Sequence, residues 1–163
     1  MEKESGIKDL MNRFPNPGLV TWIGVRTKRG ASVTVVNEVQ VLPFGLENDH
    51  YKGKENSTRH VTLIQEEHIQ AVASLLSKSA IDPGLLRRNI VVKGINLLAL
   101  KDKIFTIGEA KLEMTGLCHP CSRMEKNLGE GGYNAMRGHS GITAKVVQSG
   151  KIRVGDRVQV NKV

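Results

Sequence analysis

Apolar residues recur along this chain in short runs with the composition of strands, and one stretch alone carries them at clear helical spacing. Residues 19–27 and 32–42 are rich in Val, Ile, Trp and Thr, and Lys28-Arg29-Gly30 between them supplies the glycine that a hairpin turn favours, which predicts an antiparallel pair. Residues 60–64 predict a short strand. Residues 65–77 predict a helix whose stripe of Ile69, Val72, Leu75 and Leu76 is assigned to the core, with His68 structural or exposed. Asp82 followed by Pro83 is an N-cap with proline at the first helical position, so a helical turn starts there and runs into Arg87-Arg88-Asn89. Beyond it lie a strand at 90–93, a further helical turn at 96–100, and a hairpin of 104–107 with 109–115 around Gly108. Residues 142–148 and 152–160 close the chain as strands joined by Ser149-Gly150, with a turn at Val154-Gly155-Asp156. About eight short strands against one full helix predict a mainly β protein, a closed or strongly bent β-barrel with a few short inserted helices. Closure would dispose of exposed edges.

Three segments break the pattern. Residues 1–17 are polar and end in Asn12-Arg13-Phe14-Pro15-Asn16-Pro17, where two prolines discourage helix and sheet, so a flexible arm is expected before a single domain at 18–163. Residues 43–53 mix glycines with Asp49-His50-Tyr51, a composition that suits either a functional loop or an ordinary turn with a surface histidine. Residues 129–141 hold five glycines, and Gly131, Gly132 and Asn134 among them could present backbone amides to a phosphate, although a flexible connector fits the pattern equally. The segment matches neither G-x-x-x-x-G-K-[ST] nor a strand-flanked G-x-G-x-x-G.

The formal charge of +8 and pI of about 9.7 would attract nucleic acid, an anionic membrane surface or a phosphorylated small molecule. The basic residues are scattered in ones and twos and only 4% of residues are aromatic, which argues against nucleic acid as the partner. No window approaches the roughly 20 apolar residues of a membrane span, and no signal peptide is evident, so a soluble cytoplasmic protein is expected.

The chemistry concentrates at Thr115-Gly116-Leu117-Cys118-His119-Pro120-Cys121-Ser122-Arg123, which holds both cysteines of the chain. A thiolate is the nucleophile and the soft metal ligand among side chains, and His119, Arg123 and Lys126 stand close in sequence to favour it. Pro120 restrains the chain just before Cys121. Arg87, Arg88 and Asn89, at a helix-to-strand junction, are candidates to bind an oxyanion through charge-assisted bonds.

Five blocks in order resemble the MOSC domain, named for the C-terminal domain of molybdenum-cofactor sulfurase: residues 45–50, 59–68, 82–89, 116–121, and 141–144 with 152–156. The resemblance runs from about Gly18 to Val160 and implies a β-barrel of complex topology. The family's hallmark is a single cysteine that usually follows a proline, which falls on Cys121. The resemblance implies that Cys121 ligates molybdenum of the molybdopterin cofactor, or presents sulfur, with Cys118 a neighbour of uncertain part. It implies that Asp49, His50, Arg59, Arg88 and Asn89 lie near the cofactor, with Arg123 and the amides of Gly131, Gly132 and Asn134 as further anion-holding candidates. It also implies a reductase of N-hydroxylated compounds in which His50 or His119 supplies a proton. A small-molecule substrate and an external electron-donor or sulfur-donor protein are then the expected partners, since no flavin, iron–sulfur or pyridoxal-phosphate motif is seen.

Other classes compete. Cys121 could carry a persulfide resolved by Cys118 and pass its sulfur on, as a sulfurtransferase does. A noncatalytic anion-binding module would need neither cysteine. Cys118-His119-Pro120-Cys121 has the C-x-x-C form of a dithiol oxidoreductase, but it comes late in a β-rich chain rather than at the start of a helix in a βαβ unit. A structural zinc site would need two more ligands at useful spacing, and His50, His60 and His139 offer none in sequence.

Overall fold

In the computed structural model of the chain, residues 6–160 are described. Their strands are β1 (Gly18–Val25), β2 (Thr34–Val36), β3 (Glu38–Leu42), β4 (Gly45–Leu46), β5 (Val61–Gln65), β6 (Ile90–Lys93), β7 (Ile104–Ile107), β8 (Ala110–Leu117), β9 (Ile142–Gln148), β10 (Gly150–Arg153) and β11 (Arg157–Val160). The helices are α1 (Ile7–Leu10), α2 (Glu66–Leu75), α3 (Arg123–Leu128) and α4 (Gly132–Met136), with single 3-10 turns at Pro83–Leu86 and Leu97–Leu100.

Seven strands close a barrel in the order β11-β7-β8-β9-β5-β6-β1, and β1 pairs with β11 to complete the ring. The expected closed barrel is therefore present. Its neighbours are antiparallel except β5 and β6, which run parallel because α2 and the 3-10 turn cross over between them. β2 extends the sheet beside β1, while β10, β3 and β4 form a separate three-stranded sheet. The anticipated strand at 32–42 is thus two strands in two sheets, broken at Asn37.

Inside the barrel Val20, Ile23, Leu63, Ile90, Phe105, Leu112, Ile142 and Val158 pack into one core. Outside it, Ile64 of β5 and Val91 of β6 meet Ile69 and Val72 of α2, together with Leu86, Met124, Leu128 and Met136. β5 and β6 are apolar on both faces for that reason, and their runs show no alternation. Leu75, assigned to the core by helical spacing, is instead 62% exposed at the end of α2, and Leu76 is half-buried. His68 is half-buried with its ring edge-on to His139 at 5.3 Å.

Residues 1–5 of the expected arm lie outside the described residues; residues 7–10 form α1, and Phe14 packs against the barrel core. The glycine-rich stretch is not a plain connector, because α4 forms inside it and follows α3 directly. At its end Gly141 has φ +85°, and a Cβ there would lie 1.9 Å from the Leu63 carbonyl oxygen, so only glycine lets β9 start flush against β5.

Candidate functional site

Five stretches distant in sequence converge on one cleft of about 350 Å³. Arg26 comes from just past β1, Asp49, His50 and Tyr51 from the loop after β4, and Arg59, His60 and Thr62 from the start of β5. Arg87, Arg88 and Asn89 come from the junction before β6, and His119, Cys121, Ser122 and Arg123 from the link between β8 and α3.

The floor is a hydrogen-bonded network. The Asn89 side-chain carbonyl accepts from the Thr62 amide at 3.3 Å and hydroxyl at 3.2 Å, and its amide group donates to the Gly24 carbonyl and to the Asp49 carboxylate, both at 3.3 Å. The other Asp49 oxygen accepts from the Arg26 amide at 2.9 Å. Asp49 is therefore oriented before any ligand arrives, and Asn89 acts by holding it.

Arg88 is 5% exposed and spends its donors on carbonyl groups. Its Nε donates to Ser140 at 2.8 Å, and its terminal nitrogens donate to His119 at 3.2 Å, Leu86 at 3.3 Å and Arg87 at 3.4 Å. Burial lowers the Arg88 guanidinium, Cys118 and Cys121 work against that, and Arg59 and Arg26 add to it. Arg88 thus ties the cysteine link to the residues before β9 while placing a cation under the cleft.

His60 is fixed rather than available. Its Nδ1 accepts from the Val146 amide at 3.0 Å, which leaves Nε2 to donate to the Lys54 carbonyl at 2.9 Å. The Arg59 guanidinium stands 5.9 Å over the Tyr51 ring, forming one lip of the cleft.

The thiols differ. Cys121 is exposed on the cleft wall, whereas Cys118 is buried, does not line the cleft, and gives its amide to the Gly141 carbonyl at 2.9 Å. Of the residues singled out from sequence, the fold brings together Asp49, His50, Arg59, Arg87, Arg88, Asn89, His119, Cys121 and Arg123. It does not bring Cys118, Gly131, Gly132 or Asn134 to the cleft. The glycine amides are already satisfied, since Gly131 and Tyr133 donate to the Glu125 carboxylate at 2.6 and 3.0 Å. The anion that this loop cradles is the chain's own Glu125.

These bonds, the Tyr133 amide first, hold the Glu125 carboxyl below its ordinary value. A depressed carboxyl stabilises the fold above the unfolded-state value and loses that contribution as pH falls through the folded-state value. Glu125→Gln should therefore speed hydrogen exchange of the Gly131 and Tyr133 amides at neutral pH, and the difference from the parent should shrink toward pH 3. An unchanged exchange rate at neutral pH would contradict this role.

Arg26, Thr62 and Ser122 were given no role from sequence, and Tyr51 was noted only as a member of the Asp49-His50-Tyr51 triplet. Arg26 follows a strand with no local motif, and only the closure of β1 against β6 carries it to the site. Arg87, half-buried and left-handed at φ 61°, is lowered by burial first, then by Arg26 and Arg123, with Cys121 opposing.

The MOSC domain matches residues 48–159, which is more than half of the chain and includes every cleft residue except Arg26. The chain belongs to the MOSC domain family. This MOSC protein superposes on the crystal structure of the YuaD protein from Bacillus subtilis with a TM-score of 0.76 at 16% identity, covering 91% of this chain and 97% of that one. It also matches YiiM from Escherichia coli, with a TM-score of 0.71 at 18% identity, covering 91% of this chain and 71% of that one. YiiM from Geobacillus stearothermophilus gives a TM-score of 0.71 at 18% identity, with 90% and 76% covered. At these identities the likeness concerns the fold. No curated protein sequence matches the chain. The family is a molybdenum-cofactor-related one. Among the described residues no helix is long and apolar enough to cross a membrane.

Proposed function

We propose that the cleft holds the molybdenum cofactor through Cys121 and that the protein reduces N-hydroxylated compounds with electrons from a separate donor protein. The observation that carries this reading is one exposed thiol on the wall of a cleft lined by five arginines and a single carboxylate, Asp49. The donor set fits. A thiolate is a soft ligand suited to a sulfur-rich molybdenum centre, and Arg26 and Arg59 can hold a phosphate ester, with Asp49, oriented by Asn89, offering a polar contact to a pterin ring.

When bound, the cofactor supplies two-electron redox chemistry at oxygen. The chain's part is to bind, orient and move protons. Reduction of an N-hydroxylated compound to the parent amine consumes two electrons and two protons and releases water. His50 and His119, both exposed at the cleft, are the side chains placed to hand a proton to a substrate there. The network of Asn89 and Asp49 fixes the floor, and Arg88 fixes the link carrying His119 and Cys121.

The test is turnover of an N-hydroxylated amidine by protein made in a host that synthesises the cofactor, with chemically reduced viologen as donor. Amidine formation is expected, with kcat reduced about 100-fold when His50 and His119 are both replaced by Gln. Loaded protein that forms no amidine would overturn the reductase reading. Gain of one sulfur atom on Cys121 after incubation with a cysteine desulfurase and cysteine would then favour a sulfur carrier.

A further inference from the structure

Two imidazoles outside the cleft meet across an element boundary. His68 of α2 and His139, just before β9, stand with ring centroids 5.3 Å apart and planes at 79°, and both are half-buried. The proposed reaction uses neither. The His139 Nδ1 donates to the Ala135 carbonyl at 3.0 Å, so a further proton can be added only at its Nε2. The charges acting on His68 are His139, across the contact, and Glu67, on its own helix. Glu67 favours a charged ring, but its oxygens are already engaged by the Gln65 side chain at 3.4 Å and the Gly94 amide at 2.9 Å. Burial first, and then His139, outweigh it and hold His68 below the ordinary imidazole value. A ring so lowered takes its proton more readily once the contact has opened. The contact is therefore at full strength above the ordinary imidazole value and is lost as pH falls through it toward the folded-state value.

The segment that this contact holds leads to the cysteine link. His139 and Ser140 lie between Gly138, at φ +81° with open space around it, and Gly141, which is wedged against Leu63. Gly138 is thus a hinge and Gly141 an anchor. The Ser140 carbonyl accepts the shortest bond of Arg88, 2.8 Å from Nε, and the same guanidinium holds the His119 carbonyl at 3.2 Å. His139 is one residue away from that tie.

We propose that His68 and His139 form a proton-operated latch: with both rings neutral the 139–140 segment stays docked on α2 and Ser140 stays on Arg88, and with both protonated the like charges part the rings and free Arg88 from Ser140, loosening the link that carries His119 and Cys121. Two positive charges at this separation, half-removed from water, repel each other strongly enough to open a contact that no anion bridges. The latch regulates the site at acid pH whatever Cys121 holds, and so does not rest on the cofactor reading.

The experiment is amide hydrogen exchange of the full chain at about pH 7.5 and about pH 5.5, with the intrinsic pH dependence of exchange divided out. The His139 amide, bonded to the Met136 carbonyl at 2.8 Å, and the Met124 amide, bonded to the Cys121 carbonyl at 3.0 Å, are expected to exchange about tenfold faster at the lower pH. Amides of the β7–β8 hairpin should change less than about twofold. His68→Phe keeps a ring in the contact and removes its titration, so its profile should be flat at the level of the parent near pH 7.5. His68→Gln should be flat as well. Loosening driven by His60, whose Nδ1 accepts from the Val146 amide, would appear at Val146 and persist in both variants. Equal protection of the parent at the two pH values, or acid loosening at His139 and Met124 that survives in both His68 variants, would overturn the latch. Neither metal nor pterin enters this readout, so failure of the proposed function would leave it standing.

Discussion

Arg88→Leu is expected to lower stability by about 3 kcal/mol, or roughly 10 °C in Tm for a chain of this size. The loss follows from what the guanidinium does. It supplies donors to the carbonyl groups of Ser140, His119, Leu86 and Arg87, and Arg88 is buried at 5% exposure, so water cannot readily replace it. Each stranded acceptor costs about 1–3 kcal/mol, while release from burying a cation offsets part of the sum. Arg88→Lys should fall between the parent and Arg88→Leu, because a single ammonium cannot span carbonyl groups on separate segments. The effect should extend to function. With the His119 carbonyl released, amides from Ser122 to Met124 should exchange faster even in folded protein, and affinity for any ligand of Cys121 should weaken. A change within about 0.5 kcal/mol would mean that Arg88 binds ligand rather than the cysteine link.

Cys121→Ser is expected to cut turnover of the loaded protein by more than about 100-fold, since loss of groups that merely support a metal ligand already costs 10- to 100-fold. Serine keeps the shape and removes the soft donor, offering a hydroxyl that is neither ionised near neutral pH nor suited to a sulfur-rich metal centre. Cys118→Ser serves as the contrast. Cys118 is buried and outside the cleft, so a hydroxyl there costs about 1–2 kcal/mol of stability and leaves turnover of the folded protein near that of the parent. Equal losses in the two variants would point to a dithiol pair acting together instead of a single ligand.

The barrel and the cysteine were legible in the sequence for different reasons. Strand composition and turn residues are local, so the hairpin of β7 and β8 around Gly108 and the helix α2 could be read directly. Cys121 stood out because Pro120 precedes it within a block resembling the MOSC domain. What stayed hidden is nonlocal or too short to carry a period. The pairing of Gly18 with Val158 that closes the ring joins the ends of the domain, and no pattern within either strand announces it. α3 and α4 are six and five residues long and are separated by glycines, so no stripe can develop, and they form because Met124, Leu128 and Met136 pack beneath α2. The glycine-rich loop was misleading for an instructive reason. Its amides do point at a carboxylate, but that carboxylate is Glu125, six residues before Gly131, a pairing visible only once α3 has formed. Arg26 illustrates the same limit from the other side, since its place in the cleft depends on the register of β1 against β6, with Ile23 opposite Ile90.

The most direct test of the account is the molybdenum and pterin content of protein expressed in a host competent for cofactor synthesis, compared among the parent chain, Cys121→Ser and Cys118→Ser. The account predicts near-stoichiometric molybdenum with pterin in the parent and in Cys118→Ser, and loss of both in Cys121→Ser. Molybdenum and pterin retained by Cys121→Ser at the parent level would contradict the assignment of Cys121 as the metal's ligand and with it the proposed function.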